Sequence, residues 1–143
     1  MRAVLVDSNV LLDVLTEDPE WADWSAERLR DAAAETRLVI NPIIFAEVSV
    51  RFSAIEEAEE VLPPRIFQRE ALPWPAAFLA GKVFVAYRRR GGTRPSTLPD
   101  FFIGAHAAVA GYRLLTRDPA RYRTSFPKLE LITPGAGHTG PRP

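Results

Sequence analysis

Residues 4–15 of the chain, Val-Leu-Val-Asp-Ser-Asn-Val-Leu-Leu-Asp-Val-Leu, decide the fold. The apolar run at positions 4–6 predicts a short buried strand. Residues 7–9 then predict a helix cap, because their side-chain oxygens can accept hydrogen bonds from the free N–H groups at the start of a helix. Apolar residues at positions 10, 11, 14 and 15 follow at helical spacing. The segment therefore predicts a strand that leads directly into a helix.

The same alternation of strands and helices continues along the chain. Further strands are predicted at residues 37–40, 113–116 and 129–133, and further helices at residues 21–34, 42–50, 55–62, 74–90 and 99–110, the last capped by Gly111. Such alternation predicts an α/β fold with a mostly parallel central sheet of four or five strands. Residues 1–134 are expected to form one domain, and the Pro/Gly-rich residues 135–143 a disordered tail.

Composition limits the functions that the chain can have. The 143 residues include no cysteine, which excludes disulfides, thiolate nucleophiles and cysteine-ligated metal centres. No signal peptide and no apolar run long enough to cross a bilayer are found, so a cytoplasmic protein is expected. The formal net charge is zero, yet residues 1–60 contain 5 Lys/Arg and 14 Asp/Glu, whereas residues 61–143 contain 13 and 4. This asymmetry is compatible with nucleic-acid binding or with two solvated faces.

Two acidic residues in the first half of the chain are candidate catalytic residues. Asp7 directly follows the first strand, where it could act in catalysis or only cap the next helix. Glu47 lies beside the apolar stripe of its predicted helix, where a carboxylate is rarely found without a partner or a metal ion. An ion pair with Arg51 is the alternative explanation for Glu47.

Two further acids stand in a basic part of the chain. Asp100 lies in the first turn of a predicted helix, where the helix dipole alone could favour it, and Asp118 follows a predicted strand, where it could form a turn. All four acids nevertheless map to the carboxyl-terminal edge of the predicted sheet, where sites form in such folds. Four carboxylates at one place need a cation, and oxygen ligands suit Mg²⁺ or Mn²⁺. This combination is typical of phosphodiester hydrolysis.

The chain resembles the PIN-domain nucleases, and more narrowly the VapC toxins of type II toxin–antitoxin pairs, over residues 1–134. Four fragments in the family's order carry the resemblance: Val6-Asp7-Ser8-Asn9, Asn41-Pro42 through Ala46-Glu47, Leu98-Pro99-Asp100-Phe101-Phe102-Ile103 and Leu114-Leu115-Thr116-Arg117-Asp118. The segment from Arg121 to Pro134 is similar to the family's C-terminal strand region.

The resemblance implies an α/β/α sandwich and an Mg²⁺- or Mn²⁺-dependent endoribonuclease acting on single-stranded or looped RNA, such as tRNA or rRNA. Its acidic quartet corresponds to Asp7, Glu47, Asp100 and Asp118, of which the three aspartates are the expected metal ligands. Asn9 and Thr116 match positions that help to hold the metal, its water or a carboxylate. A VapB-type antitoxin as partner and a homodimer are also implied.

Several residues are given other expectations. Arg88, Arg89, Arg90, Arg94 and Arg117 are candidate RNA contacts, although the first four could form a solvated helix end and Arg117 could pair with an acid. Asp13 is expected to face solvent, with support of the site as the alternative. His106 lies six residues after Asp100 and so points away from the acids, which predicts a structural role.

Other functions remain to be distinguished. An RNA-processing nuclease without a toxin role is compatible with the same residues, as is a catalytically silent module that binds RNA or protein. A phosphoryl-transfer receiver domain is disfavoured, because it needs two adjacent acids after the first strand and a lysine after the last strands. Here Asp7 is followed by serine and asparagine, and Lys82 precedes the third predicted strand.

Overall fold

The computed structural model of the protein describes residues 2–94 and 97–135, and these contain five strands and seven helices. In chain order the elements are β1 (Val4–Val6), α1 (Ser8–Leu15), α2 (Ala22–Glu35), β2 (Leu38–Ile40), α3 (Pro42–Ser49), α4 (Ile55–Val61), β3 (Phe67–Arg69), α5 (Trp74–Arg89), α6 (Leu98–Ala110), β4 (Arg113–Leu115), α7 (Ala120–Arg123) and β5 (Leu131–Ile132). The predicted tail lies outside the described residues except for Gly135. No helix in the described ranges is long and apolar enough to span a bilayer.

The five strands form one sheet in the order β3-β2-β1-β4-β5, and every neighbouring pair is parallel. The predicted α/β sandwich with a parallel sheet is confirmed. From β1 the chain moves outward through β2 to β3 and then returns to β4 on the other side of β1. The strand order therefore reverses between β1 and β4, and ligand sites in open parallel sheets form beyond the strand ends at such a point.

The central position of β1 explains its sequence. Its three residues are fully buried, since helices cover the sheet and strands lie on both sides of it. A strand buried on both faces needs a continuous apolar run instead of an alternating one. Asp7 continues in extended conformation and accepts a hydrogen bond from the Ser8 amide, so the chain turns into α1 at that residue.

Two short elements of the structure, β3 and α7, were not predicted from the sequence. β3 is an edge strand in which only Phe67 is buried, so no apolar run marks it. α7 is a helix of four residues, too short for hydrophobic periodicity. The predicted end of α6 is confirmed at Gly111, which adopts the left-handed conformation with φ of 73°. Thr116, which follows β4, and Tyr122 of α7 both contact Asp7 at the end of β1.

Candidate active site

Asp7 is completely buried at the carboxyl end of β1 and receives three hydrogen bonds. Its Oδ1 atom accepts from the Ser8 amide at 2.8 Å. Its Oδ2 atom accepts from the Thr116 hydroxyl at 2.9 Å and from the Tyr122 hydroxyl at 2.7 Å. Burial raises the pKa of Asp7, and the hydrogen bonds from Tyr122 and Thr116 oppose that rise. Asp7 is thus a helix cap, as one expectation had it, but most of its donors come from distant elements.

Glu47 lies on α3 and is half-buried next to Asp7. Its Oε1 atom accepts a hydrogen bond of 2.9 Å from the Ser8 hydroxyl. Burial raises the pKa of Glu47, and the negative charge of Asp7 raises it further. The alternative ion pair with Arg51 does not form among the described residues, so Glu47 faces the other acids instead.

Asp100 and Asp118 are connected by Arg121. The guanidinium Nε of Arg121 lies 2.8 Å from Asp118 Oδ2, and its Nη1 lies 3.6 Å from Asp100 Oδ1. Burial raises the pKa of Asp100 to about 6 against the opposing charge of Arg121, and the charges of Asp7, Glu47 and Asp118 contribute to the rise. The charges of the other three acids thus all act on Asp100.

Three of the four acids border a cleft of about 750 Å³. Its lining includes the acids Glu47, Asp100 and Asp118 and the arginines Arg90, Arg94 and Arg121. Asp7 does not line the cleft, because it is fully buried. Its negative charge nevertheless raises the pKa of Asp100. The cleft thus offers carboxylate oxygens and guanidinium groups side by side, which suits a phosphate held next to a cation.

Thr116 and Asn9 connect the ends of β1 and β4. Thr116 donates to Asp7, while its oxygen accepts from the Asn9 side-chain amide at 3.2 Å and from the Asp118 amide at 3.1 Å. Asn9 Oδ1 also accepts from the Arg117 amide at 3.4 Å. Thr116 therefore holds the Asp7 carboxylate, and Thr116 and Asn9 together hold the loop after β4.

The donor set of the cleft fits a hard divalent cation. The acids that line it are all carboxylates, and burial together with neighbouring carboxylate charges raises the pKa values of Glu47 and Asp100. Among the residues that the structure describes, no sulfur or imidazole group borders the cleft. Among the described residues, however, no three acidic or histidine side chains are grouped closely enough to hold a metal ion in this conformation. Arg121 supplies the positive charge between Asp100 and Asp118 instead.

Comparison with known proteins places the chain in a family. A family model described as the PIN domain matches residues 4–127. The chain belongs to the PIN domain family. No curated protein matches the PIN domain of this chain significantly.

Solved structures with the same fold include VapBC proteins and a toxin–antitoxin complex. The PIN domain is similar to a structure of VapBC2 from Rickettsia felis bound to a DNA fragment from their promoter, with 17% identity, a TM-score of 0.71 and coverage of 92% of this chain and 98% of the other. VapBC-1 from nontypeable Haemophilus influenzae gives 18% identity, a TM-score of 0.70 and coverage of 92% and 97%. A toxin–antitoxin complex from Klebsiella pneumoniae gives 20% identity, a TM-score of 0.67 and coverage of 92% of this chain and 98% of the other. At such low identity these likenesses establish the fold.

The candidate RNA-binding arginines of the PIN domain take three different positions. Arg90 and Arg94 line the cleft, and the Tyr87 hydroxyl fixes their turn by accepting from the Arg94 amide at 2.8 Å. Arg88 and Arg89 end α5, and the Arg88 guanidinium lies over the ring of Phe84. Arg90 and Arg94 are therefore the members of that group with direct access to the acids.

Arg117 pairs with Asp13, and this pair corrects the expectation that Asp13 faces solvent. Asp13 is 2% exposed; its Oδ2 atom lies 2.8 Å from Arg117 Nε and also accepts from the Ser25 hydroxyl at 2.8 Å. The Arg117 guanidinium lies over the Trp21 ring. Helical spacing could not reveal this, because the cation that makes burial of Asp13 tolerable comes from the loop after β4.

His106 has the structural environment expected for it. It is fully buried, accepts from the Asn41 side-chain amide at 2.9 Å through Nδ1, and contacts Glu70 at 3.3 Å through Nε2. Burial lowers the pKa of His106, in opposition to the effect of Glu70. Asn41 Oδ1 in turn caps α3, the helix that carries Glu47.

Sequence reasoning missed Ser8, Arg121 and Tyr122 as parts of the site. Ser8 was considered only as part of a helix cap, yet its hydroxyl holds Glu47. Arg121 and Tyr122 belong to a segment that matches the family's C-terminal region, but their contacts with the acids depend on how α7 is oriented. The single signal in the sequence was the clustering of arginine and tyrosine directly after Asp118.

Proposed function

We propose that this PIN domain is an endoribonuclease that depends on Mg²⁺ or Mn²⁺. The observation that carries the proposal is the convergence of four acids from four different segments: burial raises the pKa of Asp100 to about 6, and the charges of Asp7, Glu47 and Asp118 add to the rise. A purely structural arrangement would pair each acid separately, because uncompensated repulsion between carboxylates destabilises the folded chain. PIN domains generally use divalent metals, in agreement with such a site.

The chain's own residues divide the work of this site. Asp7, Asp100 and Asp118 would hold the cation, while Glu47, supported by Ser8, stands where it can accept a proton or orient water. A bound Mg²⁺ or Mn²⁺ supplies activation of water and stabilisation of negative charge on the phosphate. Thr116 and Asn9 keep Asp7 and the loop of Asp118 in place.

The substrate we propose is single-stranded or looped RNA, with tRNA and rRNA as the first candidates. Arg90, Arg94 and Arg121 line the same cleft as the acids, so a strand whose reacting phosphate lies at the acids would place neighbouring phosphates near guanidinium groups. Arg121 is 46% exposed, which leaves it accessible to a phosphate. The excess of basic residues in the second half of the chain supports the same orientation.

In the cell we propose a toxin role, with a VapB-type antitoxin as partner and a homodimer as the assembly. The toxin–antitoxin complexes among the structural neighbours support this role. Trp74 and Phe78, one turn apart on α5, are 88% and 69% exposed, which is typical of a surface that docks another protein. Because the proposed substrates, tRNA and rRNA, are cytoplasmic, we propose that the protein acts in the cytoplasm.

The test is cleavage of structured RNA by the purified protein in Mg²⁺, in Mn²⁺ and in excess EDTA. We expect cleavage in either metal, none in EDTA, and none with the Asp100→Asn variant. Asp31→Asn is the matched control, because Asp31 is an exposed α2 residue that pairs with Arg28 at the surface. Intact RNA at high protein concentration in both metals would refute the nuclease and favour the silent binding module.

A nuclease that cleaves RNA need not be a toxin. Co-expression with the product of a neighbouring small reading frame distinguishes the two roles. We expect growth arrest on expression of the PIN domain alone and rescue by that product. Cleavage without growth arrest would favour the RNA-processing nuclease.

A further inference from the structure

Tyr122 is a fully buried side chain whose polar end contacts the candidate active site. It lies on α7, is 0% exposed, and donates its hydroxyl hydrogen to Asp7 Oδ2 at 2.7 Å. A buried tyrosine hydroxyl needs a hydrogen-bond partner, and a main-chain carbonyl would serve that need. Here the partner is a buried carboxylate 115 residues earlier in the chain.

The donors around Asp7 are distributed unequally between its two oxygens. A carboxylate offers about four lone-pair sites, two on each oxygen. Oδ2 receives two hydrogen bonds, from Tyr122 and Thr116, whereas Oδ1 receives one, from the Ser8 amide. The remaining capacity of Asp7 to bind another group therefore lies on Oδ1.

We propose that Tyr122 is a positioning residue of the active site: together with Thr116 it occupies Asp7 Oδ2, and it thereby leaves Oδ1 as the atom that binds the cation. This inference rests on the proposed metal-dependent function. Because the two donors come from different elements, β4 with its loop and α7, rotation of the carboxylate would break both bonds at once. Tyr122 acts through Asp7 and does not itself contact RNA.

The placement of α7 supports the same role. Arg121, the residue before Tyr122, pairs with Asp100 and Asp118 at the cleft, while Tyr122 reaches Asp7 beneath them. One short helix thus holds three of the four acids. A side chain needed only to fill the core could be phenylalanine, since the ring alone would provide the packing.

The test is Tyr122→Phe, which removes the hydroxyl and keeps the ring. Titration calorimetry with Mn²⁺ on RNA-free protein should show binding weakened about tenfold or more, the effect of losing one hydrogen bond to a charged group. RNA cleavage should show a lower kcat and an unchanged KM for RNA. Tyr112→Phe is the matched control: it also loses a tyrosine–carboxylate bond, to Glu70 at 2.6 Å, but away from the cleft, and should change neither quantity.

An Asp7→Asn background shows whether Tyr122 acts through the Asp7 charge. The fall in melting temperature caused by Tyr122→Phe in EDTA should be clearly smaller there, because a neutral amide is a weaker acceptor. If Tyr122→Phe folds only when combined with Asp7→Asn, that result also supports the proposal. An equal fall in both backgrounds, or failure of both proteins to fold, would show a packing role and overturn it.

The outcomes separate this inference from the proposed function. Wild-type protein that binds Mn²⁺ and cleaves RNA, alongside a Tyr122→Phe variant with unaltered Mn²⁺ affinity, would overturn the inference alone. Wild-type protein that binds no Mn²⁺ would overturn the metal-dependent function and the inference with it.

Discussion

Replacing Asp100 by asparagine should stabilise the metal-free protein at neutral pH. The folded protein raises the pKa of Asp100 from 3.8 to about 6, because burial and the charges of Asp7, Glu47 and Asp118 outweigh the attraction of Arg121. Ionised Asp100 is therefore less favourable in the folded chain than in the unfolded chain. The asparagine side chain has nearly the same shape and carries no charge, so it removes this penalty.

The size and the pH dependence of the effect follow from the pKa. A rise from 3.8 to about 6 corresponds to roughly 3 kcal/mol of unfolding free energy once Asp100 is ionised in both states. Below the unfolded pKa the group is protonated in both states and contributes little. The stability of the wild-type protein therefore falls, relative to the variant, as pH rises from about 4 to about 6.5. The full difference corresponds to roughly 6–12 °C in melting temperature.

Differential scanning calorimetry in EDTA from pH 4 to pH 8 measures this difference. We expect the two proteins to be similar at pH 4 and Asp100→Asn to be the more stable above pH 6.5. Saturating Mg²⁺ should narrow the gap, since binding to the wild-type site stabilises the folded state. Asp31→Asn should stay within about 0.5 kcal/mol of wild type throughout. A less stable Asp100→Asn variant, or a difference independent of pH, would refute the raised pKa of Asp100.

Three further predictions concern stability and can be checked by urea denaturation. Arg117→Gln should lower the free energy of unfolding by about 2 kcal/mol, because it removes the cation that pairs with the buried Asp13. Adding Asp13→Asn should restore part of this loss. If the effects of the two substitutions simply add, the pairing is contradicted. Gly104→Ala should lower the free energy of unfolding by about 1–3 kcal/mol, because the added Cβ would overlap the Phe126 ring. An unchanged urea midpoint would show that the ring can move freely. Gly111→Ala should lower the free energy of unfolding by about 1 kcal/mol, because Gly111 has a left-handed backbone with φ of 73°. Gly111→Asn should lower it less, because asparagine adopts this conformation more readily than alanine. Equal losses would argue against backbone strain.

The sequence predicted most of the fold because the buried strands β1, β2 and β4 are short apolar runs that sequence pattern can detect. β3 escaped detection because Phe67 is its one buried residue, and pairing with β2 stabilises the strand instead. The positions of the four acids could also be inferred, because parallel strands end at a common edge. Their mutual effects could not, since these depend on distances that only the folded chain sets.

The errors at the site have a common physical cause. Asp13 was expected to face solvent because its own helix gives no sign of a partner, yet Arg117 and Ser25 make its burial possible. Likewise Tyr122 and Arg121 reach the acids because a four-residue helix turns both toward them. Pairings between distant segments carry no local periodicity, and sequence pattern alone does not reveal them.

The distance along the chain between Asp7 and its donors has a consequence for biosynthesis. Thr116 and Tyr122 are 109 and 115 residues away from it, and β1 gains its second neighbouring strand only when β4 is present. Contacts so remote in the chain form late in folding, because long loops must close first. A nascent polypeptide on the ribosome therefore cannot assemble this cleft until residues 116–122 have emerged. The proposed nuclease activity would begin only after the ribosome has translated the chain beyond Tyr122.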